Sequence, residues 1–157
     1  MKKVLVLFLL LPFFTSAQTF TLADTMFKTN AVYRSYRVIF EFDKPIIKKE
    51  SYAHLDSIAD FMFKNLTLII EVGNHCDTQA PDHYSMNLTQ KRADAIVDYL
   101  VSKGIAKERL VAKGYHDSKP IIPEEKIDHL KTKNEIENAH KQNRRTEFKI
   151  IGFVTTE

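Results

Sequence analysis

Residues 66–100 read LTLIIEVGNHCDTQAPDHYSMNLTQKRADAIVDYL, and this stretch decides the fold. It opens on a short apolar, β-branched run over 66–72, which predicts a buried strand. A polar loop over residues 74–84 follows. Apolar residues then recur at helical spacing up to Gly104, a suitable C-terminal stop, and so predict a long amphipathic helix. Its apolar stripe consists of Leu88, Ala95, Ile96, Tyr99 and Leu100.

The flanking segments repeat the same alternation of strands and helices. Period-two alternation predicts strands over residues 36–42 and 145–153, and a third over 109–113. Ser51 is positioned to cap a helix before the buried strand. The charge-rich residues 124–141 indicate a surface excursion that ends in a helix. This order predicts an α/β two-layer (α+β) sandwich, with a mixed four-stranded sheet and its helices on one face.

The N-terminus has the pattern of a signal peptide. A basic start precedes an apolar run over residues 4–14 and small residues that end at Ala17, where cleavage is expected. The run is too short to span a bilayer, so we expect a periplasmic chain that does not itself cross the membrane. The expected division is a signal peptide over 1–17, a short lead-in over 18–35 and one domain over 36–154.

Charge and cysteine content exclude several classes. The chain has 23 basic and 20 acidic residues, and removal of Lys2 and Lys3 with the leader leaves 21 against 20, a net charge of +1. A nearly neutral chain gives no electrostatic case for binding nucleic acid. Cys76 is the only cysteine, so no intrachain disulfide is expected. Because Gln18 follows the expected cleavage site, attachment to a membrane would need a partner.

One arginine departs from the helical pattern. Arg92 lies on or beside the apolar stripe of the long helix, where a guanidinium either reaches the rim or requires an anion. Asp77, at the mouth of the preceding loop, is the natural companion. The two side chains either pair with each other or hold a zwitterion between them, with Asp77 on its ammonium and Arg92 on its carboxylate.

At this point the chain resembles a known family, the OmpA-like peptidoglycan-binding domains. The resemblance covers roughly residues 36–151, and residues 140–148 are especially close to members from Bacteroidota. Many ordered matches carry it: His75-Cys76-Asp77, Tyr84, Asn87 to Ala93, Asp98-Tyr99-Leu100, Lys103-Gly104-Ile105, Arg109-Leu110, Lys113-Gly114-Tyr115, Pro120-Ile121 and Asn143-Arg144-Arg145.

The resemblance implies non-covalent binding of peptidoglycan through the diaminopimelate residue of its peptide stem. Asp77 and Arg92 match the pair that holds the zwitterionic end of that residue in the family. The domain would anchor itself, or an outer-membrane protein complex, to the cell wall without catalysis or a cofactor. The remaining positions expected at the site are Thr78 and Asn87 at the rim and one of Arg144 and Arg145 in the groove.

Departures from the family pattern keep a second hypothesis open. Cys76 replaces the usual threonine, Ser85 stands where asparagine is usual, and residues 78–81 lack the glycine that commonly follows the aspartate. A glycine at such a position allows a positive φ that other residues rarely adopt. The alternative is therefore a periplasmic adaptor of the same fold whose groove does not bind.

Two other classes of function are disfavoured. His75, Cys76, Asp77 and His83 are all competent to bind zinc, but they match none of the familiar ligand spacings. Cys76 next to a buried strand is more typical of an inert small hydrophobe than of a nucleophile, and no hydrolase or phosphate-binding motif accompanies it. We therefore expect no metal site and no enzymatic activity.

Overall fold

The computed structural model describes residues 18–79 and 82–155, apart from the side chains of residues 82–86. The predicted signal peptide, residues 1–17, lies outside the described residues. The strands are β1 (Val32–Ser35), β2 (Leu68–His75), β3 (Leu110–His116) and β4 (Arg145–Phe153). The helices are α1 (Tyr52–Lys64), α2 (Asp82–Ser102), α3 (Glu124–Ile127) and α4 (Lys133–Asn143).

The strands form one mixed sheet in the order β1-β4-β2-β3. β4 pairs antiparallel with both β1 and β2, whereas β2 and β3 are parallel. A parallel pair needs a long crossover connection, and α2 lies in the connection between these two strands. The predicted α+β arrangement with a mixed four-stranded sheet is confirmed.

The core lies between the sheet and helices α1 and α2. Alternate residues of β2 and β4 point to this side, and they meet the apolar stripes of the two helices. The fully buried side chains include Leu55, Ile58, Met62, Leu68, Ile70, Val72, Ile96, Val97, Leu100, Phe148 and Ile150. None of the helices in the described part of the chain is long and apolar enough to cross a membrane.

The first strand was predicted in the wrong place. Residues 36–42 form no strand, and only an isolated bridge joins Phe40 to Ile47. The edge of β4 is occupied by β1 instead, with Val32 opposite Lys149. The misleading alternation arises because Val38 and Phe40 pack on the margin of the core while their neighbours face solvent. Strand β1 therefore lies within the segment that was predicted as a lead-in.

Ser51 precedes α1 as predicted, but it does not cap the helix with its side chain. Its hydroxyl donates to the carbonyl of Ile39 at 3.1 Å and accepts from the Ile39 N–H at 2.8 Å. Ser51 is fully buried, and it fixes the segment before α1 to the helix start. Ser51 therefore lies at the start of α1 as predicted, but its hydroxyl bonds to the backbone of Ile39 and not to the first turn of the helix.

Gly114 sets how closely α2 approaches β3. A Cβ at this position would lie 2.4 Å from the backbone nitrogen of Gln90, which cannot move without shifting the helix. Gln90 also accepts from the Gly114 N–H with its side-chain oxygen at 2.8 Å. The contact between Gly114 and Gln90 therefore fixes the position of α2, the helix that carries Arg92, relative to β3.

We expect Gly114→Ala to lower the free energy of unfolding by about 2 kcal/mol or more, because overpacking against backbone leaves little room for relaxation. Chemical denaturation followed by circular dichroism measures this. Gly152→Ala is the matched control, since its Cβ would meet only the flexible end of Ile69 at 3.7 Å. Equal unfolding midpoints for the two variants would contradict the close approach.

Candidate ligand-binding site

Asp77 follows β2 by two residues and lies buried at the edge of the sheet, with only 4% of its surface exposed. An isolated carboxylate at this depth is costly, so it needs cationic or hydrogen-bonding partners. Arg144, the residue before β4, donates from Nη1 to Asp77 Oδ2 at 2.5 Å. The imidazole Nδ1 of His140 lies 3.7 Å from the same oxygen.

The end of α4 brings these partners to Asp77. Glu137, His140 and Arg144 are spaced by three and four residues, which places them on one side of the helix end. The helix starts with a complete capping box between Thr132 and Glu135, which fixes its first turn. Arg144 bridges two carboxylates, because its second Nη donates to Glu137. Burial works to lower the pKa of Arg144, but the hydrogen bonds to Asp77 and Glu137 outweigh it and raise that pKa.

Arg92 is half-buried on α2 and contacts the segment between β1 and α1. Its Nε donates to the carbonyl of Lys44 at 3.1 Å, and Nη2 lies 3.5 Å from the carbonyl of Glu41. The guanidinium carbon also lies 4.9 Å from the ring centroid of Phe40, a cation–π distance. These contacts place the Arg92 guanidinium against backbone carbonyls at the rim, which corresponds to the first of the two alternatives that its sequence position left open.

The remaining predicted site residues fall in different environments. Thr78 is exposed next to Asp77, and its hydroxyl donates to Glu124 at 2.6 Å, which ties the loop to α3. Asn87 is an exposed residue of α2, within the helix rather than at its start. The structure thus brings Asp77, Thr78 and Arg144 together.

Arg145 lies on the face of the sheet opposite the apolar core, because side chains alternate along β4 and Phe148 and Ile150 point into the core. It is buried, and it donates from Nε to Glu147 at 2.8 Å and to the carbonyls of Asn143 and Lys119. Glu147 also accepts from Arg34 at 3.0 Å and lies 3.5 Å from His75 Nε2. This carboxylate therefore joins β1, β2 and β4.

Tyr115 makes further contacts on the face of the sheet opposite α1 and α2, called here the helix-free face. Its ring stacks on His75 with a centroid distance of 4.8 Å, and its hydroxyl donates to Glu71 at 2.5 Å. Burial and the Glu71 carboxylate both raise the pKa of the Tyr115 hydroxyl. Burial lowers the pKa of His75, so the imidazole is held neutral two residues before Asp77. The end of β2 is thereby fixed on the side away from the helices.

Sequence reasoning missed His140 and Glu137. Both belong to the charge-rich region that was interpreted as a surface excursion. The available signal was the helical spacing of His140 and Arg144, four residues apart and directly before the last strand. Within the described part of the chain, no three potential ligands converge on a metal position, and the side chain of His83 lies outside that part.

These features now have a family context. The model of the OmpA family matches residues 39–135, more than half of the chain, and the chain belongs to this family. Outer membrane porin F of Pseudomonas fluorescens is 40% identical over 84 residues, which cover 54% of this chain and 26% of the porin. The chain therefore spans about a quarter of the length of that relative.

Solved structures share the fold. The cell wall anchor of the T6SS from Pseudomonas aeruginosa aligns with a TM-score of 0.58 at 22% identity, covering 77% of this chain and 79% of that one. The peptidoglycan-associated lipoprotein from Burkholderia pseudomallei gives 0.57 at 22% identity, with 71% and 86% covered. At these identities the likeness concerns the architecture, and it confirms the OmpA-like domain predicted from the sequence motifs.

The Glu147 network makes the stability of the domain depend on pH. Burial works to raise the pKa of Glu147, but the His75 imidazole, whose Nε2 lies 3.5 Å from the carboxylate, and the hydrogen bond from Arg145 lower it far below its usual 4.5. A depressed folded-state pKa contributes stability above the unfolded value, and this stability is lost as the pH falls below about 4.5. We expect Glu147→Gln to destabilise the domain by about 2 kcal/mol at pH 7, a figure reduced for its partial exposure.

The measurement is urea unfolding at pH 7 and at pH 3. The difference in unfolding free energy between wild type and Glu147→Gln should narrow at pH 3. At that pH the Glu147 carboxyl is protonated in the unfolded chain, so part of the stability that comes from its depressed folded-state pKa is lost, whereas glutamine does not titrate. Glu125→Gln, at an exposed position of α3, serves as the control and should change little at either pH. If Glu147→Gln is as stable as wild type at pH 7, the Glu147 network does not stabilise the pairing of β1, β2 and β4.

Proposed function

We propose that this domain binds peptidoglycan non-covalently through the diaminopimelate residue of the peptide stem, and that it catalyses nothing. The observation that carries the proposal is the buried carboxylate of Asp77 at the end of β2, which is paired with the partly exposed side chain of Arg144. In this proposal the ligand takes the place of that arginine. A carboxylate of this kind offers an ammonium group a strong, directed partner in a poorly solvated position.

The other end of a zwitterion needs a cation, and Arg92 supplies it in this proposal. Its guanidinium is fixed by backbone carbonyls of the 41–44 segment, so little side-chain entropy is lost when a ligand carboxylate arrives. Thr78 and Asn87 would contact the ligand at the rim. Arg144 would line the groove, and Arg145 would support it from the other face through Glu147.

The relatives support the same reading. One neighbour is named a cell wall anchor and another a peptidoglycan-associated lipoprotein, and both share the architecture that carries Asp77 and Arg144 here. We propose that the chain is exported to the periplasm after cleavage near Ala17. There it would anchor itself, or an outer-membrane protein complex, to the wall.

The test is co-sedimentation of the protein with purified diaminopimelate-type sacculi. We expect Asp77→Asn and Arg92→Gln each to weaken binding at least about tenfold, because each leaves one charge of the zwitterion without its partner. Asp98→Asn and Lys91→Gln are the matched controls, since both residues are exposed on α2. They should bind like wild type.

Folding of each variant is checked by its thermal unfolding midpoint. Binding that is equal in wild type and in the folded Asp77→Asn variant would contradict the proposed clamp. A folded wild-type protein that stays in the supernatant would contradict wall binding altogether.

One observation favours the second candidate, an adaptor domain whose groove does not bind. Asp77 already has a cationic partner in Arg144, and residues 78 and 79 of the following loop contain no glycine. If this internal pair never opens, no ligand ammonium reaches the carboxylate. If folded wild type stays in the supernatant while Arg144→Ala sediments, the internal pair is what closes the groove. If both stay in the supernatant, the groove does not bind even with Asp77 released.

A further inference from the structure

A groove lies on the helix-free face of the sheet, and the proposed function gives it no role. Its volume is about 720 Å³, and Arg34 of β1, Glu71 of β2 and Lys149 of β4 contribute to its lining. Loop residues around Asn30 and Lys119 complete that lining. The sheet itself separates this groove, called here the sheet groove, from helices α1 and α2.

Two lysine ammonium groups share the ring of Tyr115 beside the sheet groove. The Nζ atoms of Lys119 and Lys113 lie 4.3 Å and 5.1 Å from the ring centroid, and His75 stacks on the same ring. Neither lysine forms a salt bridge with any carboxylate that the structure describes. Like charges this close repel each other, and an anion placed beside them removes that repulsion.

Arg34 and Lys149 extend the positive charge across β1 and β4. Arg34 bonds to Glu147 through Nε alone, at 3.0 Å, so its two Nη groups have no hydrogen-bond partner among the described residues. Guanidinium N–H groups match a carboxylate in geometry. Lys149 is half-buried opposite Glu71 in the pairing of β2 with β4, and it forms no salt bridge with a described residue.

The carboxylates of this face already have partners inside the protein. Glu147 accepts from two arginines, and Glu71 accepts from the Tyr115 hydroxyl. The cationic side chains outnumber these two carboxylates, and they are Arg34, Lys113, Lys119, Arg145 and Lys149. The chain without its leader has a net charge of only +1, so positive charge is concentrated on this face.

We propose that the sheet groove binds an extended acidic peptide segment of a partner protein. The carboxylates of that segment bond to the ammonium groups of Lys119 and Lys149 and to the free Nη groups of Arg34. Its backbone amides meet the exposed amide side chains of Gln18 and Asn30, which also line the groove. Charge complementarity of this kind sets which partner is accepted and how fast it associates.

The shape and the mixed polarity of the groove favour a peptide over other anions. A planar lipid surface reaches the rim of a recessed groove but not its floor. A dense polyanion meets the carboxylates of Glu71 and Glu147, whereas a peptide brings N–H donors as well as carboxylates. An acidic peptide therefore complements both kinds of group.

This inference goes beyond the proposed function and does not depend on it. The sheet groove lies on the face away from α2, the helix that carries Arg92, so a peptide and a cell-wall ligand occupy different surfaces. With both sites filled, the domain links an acidic segment of its partner to the wall.

The experiment titrates a fluorescein-labelled octaglutamate peptide with the full chain and follows fluorescence anisotropy at low and at physiological salt. The test variant is Lys119→Gln combined with Lys149→Gln, which leaves the Glu147 network intact. The matched control combines Lys64→Gln with Lys107→Gln, since both of these lysines are exposed and lie outside the groove. Both double variants remove the same charge, and thermal unfolding midpoints check their folding.

We expect wild type and the control to bind the peptide alike, with an affinity that falls as salt rises. The test variant should bind at least about fivefold more weakly, because two partly exposed charge pairs are lost. Asp77→Asn should bind the peptide like wild type, since Asp77 is not part of the groove. An octalysine peptide should not bind.

Three results would each overturn the inference. If the test variant and the control weaken equally, net charge alone explains the binding. If wild type co-sediments with phosphatidylglycerol vesicles at physiological salt but does not bind octaglutamate, the occupant is a lipid surface. If folded wild type binds neither, the groove has no anionic partner, while co-sedimentation with sacculi still decides the proposed function separately.

Discussion

The site depends on the register between β2 and β4. His75 lies opposite Arg145 in this antiparallel pair, so the residues just beyond them, Asp77 and Arg144, emerge at the same edge of the sheet. Side chains alternate with a period of two, and a slip by one residue would turn Arg145 towards the apolar core. Burial of Phe148 and Ile150 on that side makes such a slip prohibitive. Packing of the apolar core thereby sets the position of Asp77 and Arg144, although neither residue is part of that core.

The helix-free face stabilises the same register by charge. Glu147 is bonded by arginines from β1 and β4 and faces His75 of β2, so three strands meet at one carboxylate. A partly buried charge network of this kind gives little net stability when compared with apolar packing, but removing one partner leaves the others unpaired. The arrangement therefore favours one register over its alternatives, and Asp77 is presented from a fixed strand end.

Strong local signals made most of the fold predictable from the sequence. The β-branched run of β2, the apolar stripe of α2 and the alternation of β4 each lie where they were predicted, since packing and propensity agree there. The prediction failed at β1, because Val32–Ser35 is a four-residue strand with little pattern of its own. Which segment pairs with the edge of β4 is settled by tertiary packing, and the neighbouring 36–42 alternation carried the stronger local signal.

The candidate site was predictable to a similar, partial extent. Asp77 and Arg92 stood out because a charge beside an apolar stripe or a buried strand needs an explanation in the sequence itself. His140 gave no such signal, since a histidine in a charge-rich helix is ordinarily solvated. Its burial follows from the docking of α4, where Asn143 accepts from the backbone N–H groups of Ile121 and Ile122. That contact joins residues about twenty positions apart, and no local pattern encodes it.

The internal pair between Asp77 and Arg144 bears directly on the proposed binding. In the proposed complex, a ligand ammonium would exchange one cationic partner of Asp77 for another, so this contact would contribute selectivity for a cation more than net affinity. Glu137 would lower the cost of the exchange, because Arg144 is also bonded to it and would keep that partner. In the proposed complex, net affinity would then come from the other end of the ligand, where the backbone carbonyls of Lys44 and Glu41 already hold the Arg92 guanidinium in place.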